Sequence, residues 1–251
     1  MNLDELTSYL DEYLKIGEIE DSSKNGLQVA GPAQVQRLAF AVDSSLAGFE
    51  RAVELGADLL IVHHGLFWGD VKVLTGPLFR RVKTLIQGNV GLYAAHIPLD
   101  VHQEVGNNVE LARILDLEVT GPFGDYHGTP IGVAGRPSSG RVKREAFVEL
   151  ANTRLHTDCV VQAHGPVEVR TIGIISGGAA SMIEQAARSG FDLYLTGETN
   201  HSYAHAAEEY GLNVVFAGHY ATETVGLRAL ARHLESIFGI ETIFIDLPTG
   251  M

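Results

Sequence analysis

The sequence predicts an α/β protein made of two similar halves, each with largely parallel strands and covering helices. Three observations carry this prediction. Short apolar runs alternate with segments of helical periodicity, as in βαβ units. Glycines and polar turns separate the two kinds of segment. Residues 52–65 and 186–199 also share a helix end, a glycine, an aspartate and an apolar strand in register, which indicates an internal repeat.

The first half begins with an amphipathic helix, predicted over residues 3–15 by leucines at helical spacing. A polar, glycine-containing connection follows, and then strands and helices alternate. We predict strands at 37–43, 58–62 and 92–95 and helices at 46–55, 77–87 and 108–115. This βαβαβα order is typical of a parallel sheet covered by helices. We assign residues 1–120 to the first α/β half.

The pattern is less regular in the middle of the chain and regular again towards the end. Residues 121–170 are rich in glycine and proline and contain a short strand IGVAG, a helix at 144–155 and a strand CVVQA. We interpret them as a connecting, variable segment. Residues 171–251 form the second half, with predicted strands TIGIIS, DLYLT, NVVFA and ETIFID and helices at 180–189, 202–210 and 222–238.

The composition argues against several kinds of partner and site. The formal net charge is -13, and no stretch clusters enough Lys and Arg to bind phosphates, which argues against a nucleic-acid partner. The acidic start of the chain differs from a secretory signal, and no apolar run has membrane-spanning length, so we expect a cytoplasmic protein without a membrane partner. The single cysteine, Cys159, excludes an intramolecular disulfide and argues against a thiolate metal site.

Polar side chains follow the apolar strands at the points where they end. His63 and His64 come directly after LLIV, and this is the edge of a parallel sheet where ligand sites form. Adjacent strand residues point to opposite faces, so Gly65 is expected to let the chain leave the strand and bring both rings to one site. A histidine pair that is hydrogen-bonded without a metal is the alternative.

Both halves end their next strand with the pattern His-x-x-x-carboxylate. His96 and Asp100 follow LYAA, whereas His219 and Glu223 follow VVFA. Glu223 would lie in the first turn of a helix, where the dipole favours a carboxylate even without a metal. Together, however, imidazoles and carboxylates at three strand ends suit Zn, Mn or Fe(II). The sequence therefore predicts a divalent-metal site in the cleft between the halves.

Two further histidines and one glutamate border this predicted site. In the repeat, Glu198 stands where the first half has His64, and it could be a polar or proton-handling residue. His201 and His205 follow it and could transfer protons at the mouth of the cleft. A solvated helix face is the alternative for both histidines.

Several of these segments resemble a known family. They are NGLQV (25–29), DLLIVHHGLFWG (58–69), AHIPLDVHQEVGNN (95–108), DLYLTGE (192–198) and AGHYATETVGLRALARHL (217–234). Together they resemble the dinuclear metal-centre family whose members are named GTP cyclohydrolase 1 type 2 homologues (Nif3-like). The resemblance spans nearly the whole chain, but residues 121–170 carry little of it.

The resemblance implies two divalent metal ions per chain, either Zn, Mn or Fe, in one dinuclear centre. The ligands it implies are His63, His64, Asp100, His219 and Glu223. It makes His96 a residue near the site, either a proton carrier or a substrate contact. It also implies a homohexamer.

We expect a metal-dependent hydrolase that acts on a small-molecule substrate, a nucleotide or related heterocycle, by GTP cyclohydrolase-like ring opening. His96 or His201 would be the catalytic proton carrier. The alternative is a metal-binding assembly or regulatory protein without turnover. A third hypothesis, a metal-dependent phosphoesterase, is disfavoured because neither a His-x-His strand motif nor a His-x-His-x-Asp-His run occurs.

Overall fold

The computed structural model describes residues 1–250, and within that range the chain has the mixed α/β fold predicted from its sequence. The strands are β1 (Gly26–Val29), β2 (Arg37–Asp43), β3 (Leu59–His64), β4 (Gly91–Ala94), β5 (Leu117–Tyr126), β6 (Thr129–Pro137), β7 (Val142–Lys143), β8 (Val160–Ala163), β9 (Glu168–Val169), β10 (Ile172–Ile174), β11 (Leu193–Thr196), β12 (Asn213–Phe216) and β13 (Glu241–Phe244). The α-helices are α1 (Leu3–Tyr13), α2 (Leu46–Glu54), α3 (Gly76–Gly88), α4 (Ile97–Asp100), α5 (Asn107–Ile114), α6 (Arg144–Leu155), α7 (Ile183–Arg188), α8 (Ala206–Tyr210) and α9 (His219–Phe238).

These elements form two compact units. The first comprises Met1–Val105 and Leu227–Leu247, and the second comprises Gly106–Gly226 with residues 248–250. The first unit contains a sheet with the strand order β1-β4-β3-β2-β13. Strands β4, β3, β2 and β13 are parallel, and β1 is added antiparallel at the edge. Helices α2 and α3 supply buried side chains to a core on one face of this sheet.

The second unit contains a sheet with the order β5-β6-β10-β11-β12-β8. Its three central strands, β10, β11 and β12, are parallel, whereas β5, β6 and β8 join antiparallel. Alternate residues of β11 and β12 enter two different cores: Leu193 and Val215 belong to one, and Tyr194 and Val214 belong to the other. Both faces of the parallel core are therefore covered, as expected for a buried parallel sheet.

The boundaries of these units differ from the predicted ones at 120 and 170. Strands β5, β6 and β8 belong to the second sheet, although we expected residues 121–170 to connect two halves. The β5–β6 hairpin turns at His127 and Gly128, which both have positive φ, as a two-residue type I′ turn requires. A register shift lies between Val119 and Gly121. Glycines, a proline and this irregularity weaken the alternating pattern from which strands are predicted.

The C-terminal strand also lies elsewhere than predicted. We assigned ETIFID to the second half, but β13 pairs with β2 in the first sheet. Apolar patterning identifies a strand without specifying its neighbour, so this pairing was not available from the sequence. The predicted helix at 202–210 is also divided, into a 3-10 helix at His201–Tyr203 and α8.

Equivalent aspartates support the internal repeat. In the repeat alignment Asp58 corresponds to Asp192, and each precedes the central strand of its sheet. Each carboxylate accepts two backbone N–H groups at the start of the preceding strand: Asp58 Oδ2 lies 2.7 Å from Gln36 N and 3.0 Å from Arg37 N, and Asp192 Oδ2 lies 2.8 Å from Arg170 N and 3.1 Å from Thr171 N. The same side chain thus fixes the same strand start in both units, as a duplication predicts.

The helices lack the features of membrane-spanning segments. Among residues 1–250, no helix combines the length and the apolar character needed to cross a bilayer.

Candidate metal site

Three histidines of the first unit lie together at the ends of neighbouring strands. His63 and His64 end β3, and His96 follows β4 and precedes α4. The ring centroids of His63 and His64 are 4.9 Å apart, and those of His63 and His96 are 5.0 Å apart. One ligand atom from each of the three lies within 4.8 Å of the other two. This group could hold a metal ion.

Each of these rings is held through the same nitrogen. Nδ1 lies at hydrogen-bond distance from an oxygen in all three: 2.9 Å from Ala95 O for His63, 2.8 Å from Asp43 Oδ1 for His64, and 3.0 Å from Asp21 Oδ2 for His96. Since a carbonyl or carboxylate can only accept, Nδ1 carries the proton and Nε2 is the nitrogen with ligand character. Metal-binding histidines are typically oriented by such acceptors.

A carboxylate lies beside this group. Asp100 is the last residue of α4, and its Oδ2 lies 3.6 Å from Nε2 of the fully buried His63. The Asp100 side chain is 14% exposed. The first unit therefore brings together the ligands predicted for it, His63, His64 and Asp100, and adds His96 to them.

Gly65 does not have the role that we predicted. Strand β3 runs through His64, and φ of Gly65 is not positive. A Cβ at Gly65 would instead overlap the Gln28 side chain and lie 2.7 Å from the Cβ of Ala94. Glycine is needed there for close packing beside the site, whereas the two rings converge without a change of backbone region.

The second unit positions His219 and Glu223 on one face of α9. The helix begins at His219, three residues earlier than predicted, so Glu223 lies one turn further along it. His219 Nε2 is 3.0 Å from Glu223 Oε1, and His219 Nδ1 is 2.9 Å from Glu198 Oε1. The Glu223 side chain is only 4% exposed. Nε2 of His219 and the Glu223 carboxylate are therefore donors of the kinds that divalent ions bind, whereas Glu198 contacts the other ring nitrogen and orients the imidazole.

The electrostatics of this second group favour a cation. Burial lowers the pKa of His219, but hydrogen bonds and charge from Glu223 and then Glu198 outweigh it and raise the pKa to about 9. The imidazole is therefore protonated at neutral pH in the metal-free chain. The Glu223 carboxylate, which lies at Nε2, would also favour a divalent ion at that nitrogen, and binding of the ion would release the proton there.

A glycine turn after β10 packs against His219 and Glu223. Gly177 has φ +66°, and a Cβ there would overlap the Glu223 carboxylate. Its N–H donates to Thr222 Oγ1 at 3.0 Å, and its carbonyl accepts from Gly197 N at 2.7 Å. The turn is therefore bonded both to α9, which carries His219 and Glu223, and to the end of β11, which precedes Glu198. The segment Ser176-Gly177-Gly178 resembles an anion-binding turn but has neither the P-loop nor the dinucleotide glycine spacing, so the sequence gives only a weak signal for this turn.

The structure gives less support to His201. Its side chain is exposed in the 3-10 helix His201–Tyr203 and forms no hydrogen bond, ion pair or ring contact with the described residues. His205 is the N-cap residue of α8 and is also exposed. A catalytic role for His201 stays a prediction.

Sequence reasoning missed the two carboxylates that orient His64 and His96. Asp43 is the last residue of β2, so the strand-end argument that we applied to the histidines would also have found it. Asp21 lies in an irregular loop and is separated from His96 by 75 residues. No local pattern identifies such a partner.

Asp21 lies at the centre of a hydrogen-bond network. Its side chain is 2% exposed and accepts from Ser23 N at 3.0 Å, Asn25 Nδ2 at 2.9 Å and Ile97 N at 3.1 Å, besides His96. Burial raises the pKa of this carboxyl, but hydrogen bonding and charge from His96, and then the bonds from Asn25 and Ser23, outweigh burial and lower the pKa to about 2. The ionised form is therefore the one that the fold stabilises.

We expect Asp21→Asn to destabilise the fold by about 1–3 kcal/mol at neutral pH, because it leaves buried donors poorly paired. The folded pKa of Asp21 lies below its unfolded value of about 3.9, so its contribution is complete above that value and is lost as the pH falls through about 2. The difference between the wild type and the variant should therefore narrow in acid. Urea unfolding at several pH values measures it, with the exposed Asp70→Asn as control. A gap that stays constant down to pH 2 would contradict this explanation.

The comparisons with known proteins agree with this fold. A family model described as Duf34/NIF3 (NGG1p interacting factor 3) matches residues 1–250. The GTP cyclohydrolase 1 type 2 homolog of Deinococcus radiodurans is 48% identical over 99% of this chain and 94% of its own length, and that of Pyrococcus horikoshii is 44% identical over all of both chains. The chain is 42% identical to TTHA1606 from Thermus thermophilus. The crystal structure of that protein matches over all of both chains with a TM-score of 0.93. The chain therefore belongs to the Duf34/NIF3 family.

Proposed function

We propose that this protein is a metal-dependent hydrolase that acts on a nucleotide or related heterocycle. In this proposal two divalent ions form one dinuclear centre, with His63, His64 and Asp100 from the first unit and His219 and Glu223 from the second. The observation that carries the proposal is the shared orientation of the first unit's three histidines, all held through Nδ1. That arrangement is typical of metal ligands and is not needed for packing alone.

The donor set fits the proposed ions. Imidazole nitrogens mixed with carboxylate oxygens suit Zn, Mn or Fe(II). When bound, such ions would supply Lewis acidity and lower the pKa of a water molecule. The name of the relatives, GTP cyclohydrolase 1 type 2 homolog, makes GTP the first substrate to test. A homohexameric assembly and a cytoplasmic location stay predictions.

The chain's own residues would orient the reactants and move a proton. Asp21 holds Nδ1 of His96, so Nε2 of His96 is the atom that would accept a proton beside His63 and His64. Asp43 holds His64 in the same way. On the second unit, Glu198 orients His219 and is 36% exposed, so it could exchange a proton with solvent.

The test is to measure metal and turnover on one preparation of the full chain, purified without a histidine tag. We expect two divalent ions per chain by elemental analysis, and opening of the GTP imidazole ring with loss of the purine absorbance. A chelator should abolish turnover, and added metal should restore it.

Parallel assays separate the alternatives. Release of inorganic phosphate without ring opening would favour the phosphoesterase hypothesis. Full metal occupancy without turnover of any nucleotide in a panel would contradict the enzymatic proposal and favour a metal-binding assembly or regulatory protein. A chain with well under one metal ion would contradict the metal centre itself.

A further inference from the structure

The only tryptophan of the chain, Trp68, lies beside the first unit's histidines. Its ring centroid is 4.8 Å from that of His96, with the two planes at 74°, and 6.2 Å from that of His64, with the planes at 47°. Its neighbours Leu66 and Phe67 pack into the core of the first unit. The indole is instead half-buried and contacts the candidate metal ligands.

The indole is fixed in this position by hydrogen bonds that do not involve a ligand. Nε1–H donates to Gly65 O at 2.7 Å, so the polar edge of the ring is already satisfied. Backbone pairing of the Trp68 loop with residues 22–24 holds it on both sides: Lys24 N donates to Phe67 O at 2.9 Å, and Gly69 N donates to Ser22 O at 2.8 Å. The ring is therefore ordered without a ligand and stays partly exposed, so a ligand would not need to induce its position.

Without metal ions, the charge around these histidines favours an uncharged ring over a phosphate. Three of the side chains that hold or contact these rings are carboxylates, Asp21, Asp43 and Asp100. An anionic group placed against them would be repelled unless metal ions offset their charge. A neutral planar ring gains from contact with the indole and meets no such repulsion.

We propose that Trp68 is a substrate-binding residue whose indole stacks on a planar nitrogen heterocycle, such as a purine, while the donor atoms of that heterocycle face the histidine group. The inference rests on the proposed function and adds the part of the substrate that the first unit recognises. Aromatic stacking on a base contributes about 10- to 100-fold to affinity, so the loss of this ring should be measurable.

The experiment uses the full, metal-loaded chain and three probes: guanosine, guanosine monophosphate, and ribose 5-phosphate, which lacks the ring. Because Trp68 is the single tryptophan, its fluorescence reports on this position directly. Guanosine and its monophosphate should quench the fluorescence saturably, and ribose 5-phosphate should not. By calorimetry, Trp68→Leu should bind guanosine about 10- to 100-fold more weakly, whereas Trp68→Phe keeps a flat ring and should stay within about threefold.

Metal content and melting temperature of both variants separate binding from folding. The inference is overturned if guanosine leaves the native fluorescence unchanged, if Trp68→Leu binds guanosine as tightly as the native chain, or if Trp68→Phe loses as much affinity as Trp68→Leu. These outcomes are distinct from failure of the proposed function. Ring binding that depends on Trp68 without any turnover would contradict the hydrolase but support the stacking site. Turnover with an unchanged KM in Trp68→Leu would support the hydrolase but contradict the stacking site.

Discussion

Glu223→Gln is expected to remove at least one of the two proposed metal ions per chain and to reduce turnover by more than about 100-fold. Glutamine has nearly the same shape, but it is neutral and is a weak ligand for a divalent ion. The Glu223 side chain is 4% exposed and its Oε1 lies 3.0 Å from His219 Nε2, the ring nitrogen proposed to bind metal. Elemental analysis and the ring-opening assay measure the two effects on the same preparation.

A matched control lies on the same helix. Glu235 is exposed near the end of α9, and Glu235→Gln makes the same change of charge and shape away from the candidate ligands. We expect its metal content and turnover to equal those of the native chain. If Glu223→Gln binds as much metal as Glu235→Gln and retains turnover, Glu223 is not a ligand and the second half of the proposed centre is wrong.

The sequence predicted most clearly the strands whose residues bury both faces of a parallel sheet. It also predicted β6, β8 and β13 as strands, without their places in the two sheets. Strands β2, β3, β4, β10, β11 and β12 are short runs of apolar residues between helical segments, and such runs are recognisable without knowledge of their neighbours. Some of the edge strands were harder to predict from the sequence. Strand β1 lies in a segment that we described as a polar connection, and one of its four residues, Gly26, is buried. Partly exposed edge strands lack the continuous apolar run that identifies a central one.

The residues of the candidate site were likewise predicted only in part. Strand ends predicted His63, His64, His96, His219 and Glu223, because the carboxyl ends of neighbouring parallel strands meet at one edge. Of the groups that orient these side chains, only Glu198 was predicted to border the site. Asp21 reaches His96 across 75 residues, and the Gly177 turn reaches Glu223 across 46. Contacts of this kind depend on tertiary packing, for which a single sequence carries no periodic signal.

The close approach at Gly177 gives the second prediction with a large effect. Gly177→Ala is expected to distort the Glu223 carboxylate, because an added Cβ would overlap it, and turnover should fall on the order of 100-fold. The substitution also places a side chain at φ +66°, which costs about 1–2 kcal/mol of stability by itself. Metal content, turnover and melting temperature should therefore all decrease.

Gly190→Ala separates these two effects. Gly190 has φ +75°, and a Cβ there would meet nothing within 4 Å, so this variant has the backbone strain without the overlap. We expect it to melt a few degrees lower while its metal content and turnover stay native. The difference between the two variants then measures the contact with Glu223. If Gly177→Ala loses stability but keeps native metal content and turnover, as Gly190→Ala should, the turn does not support the metal site and Gly177 is required only for its backbone conformation.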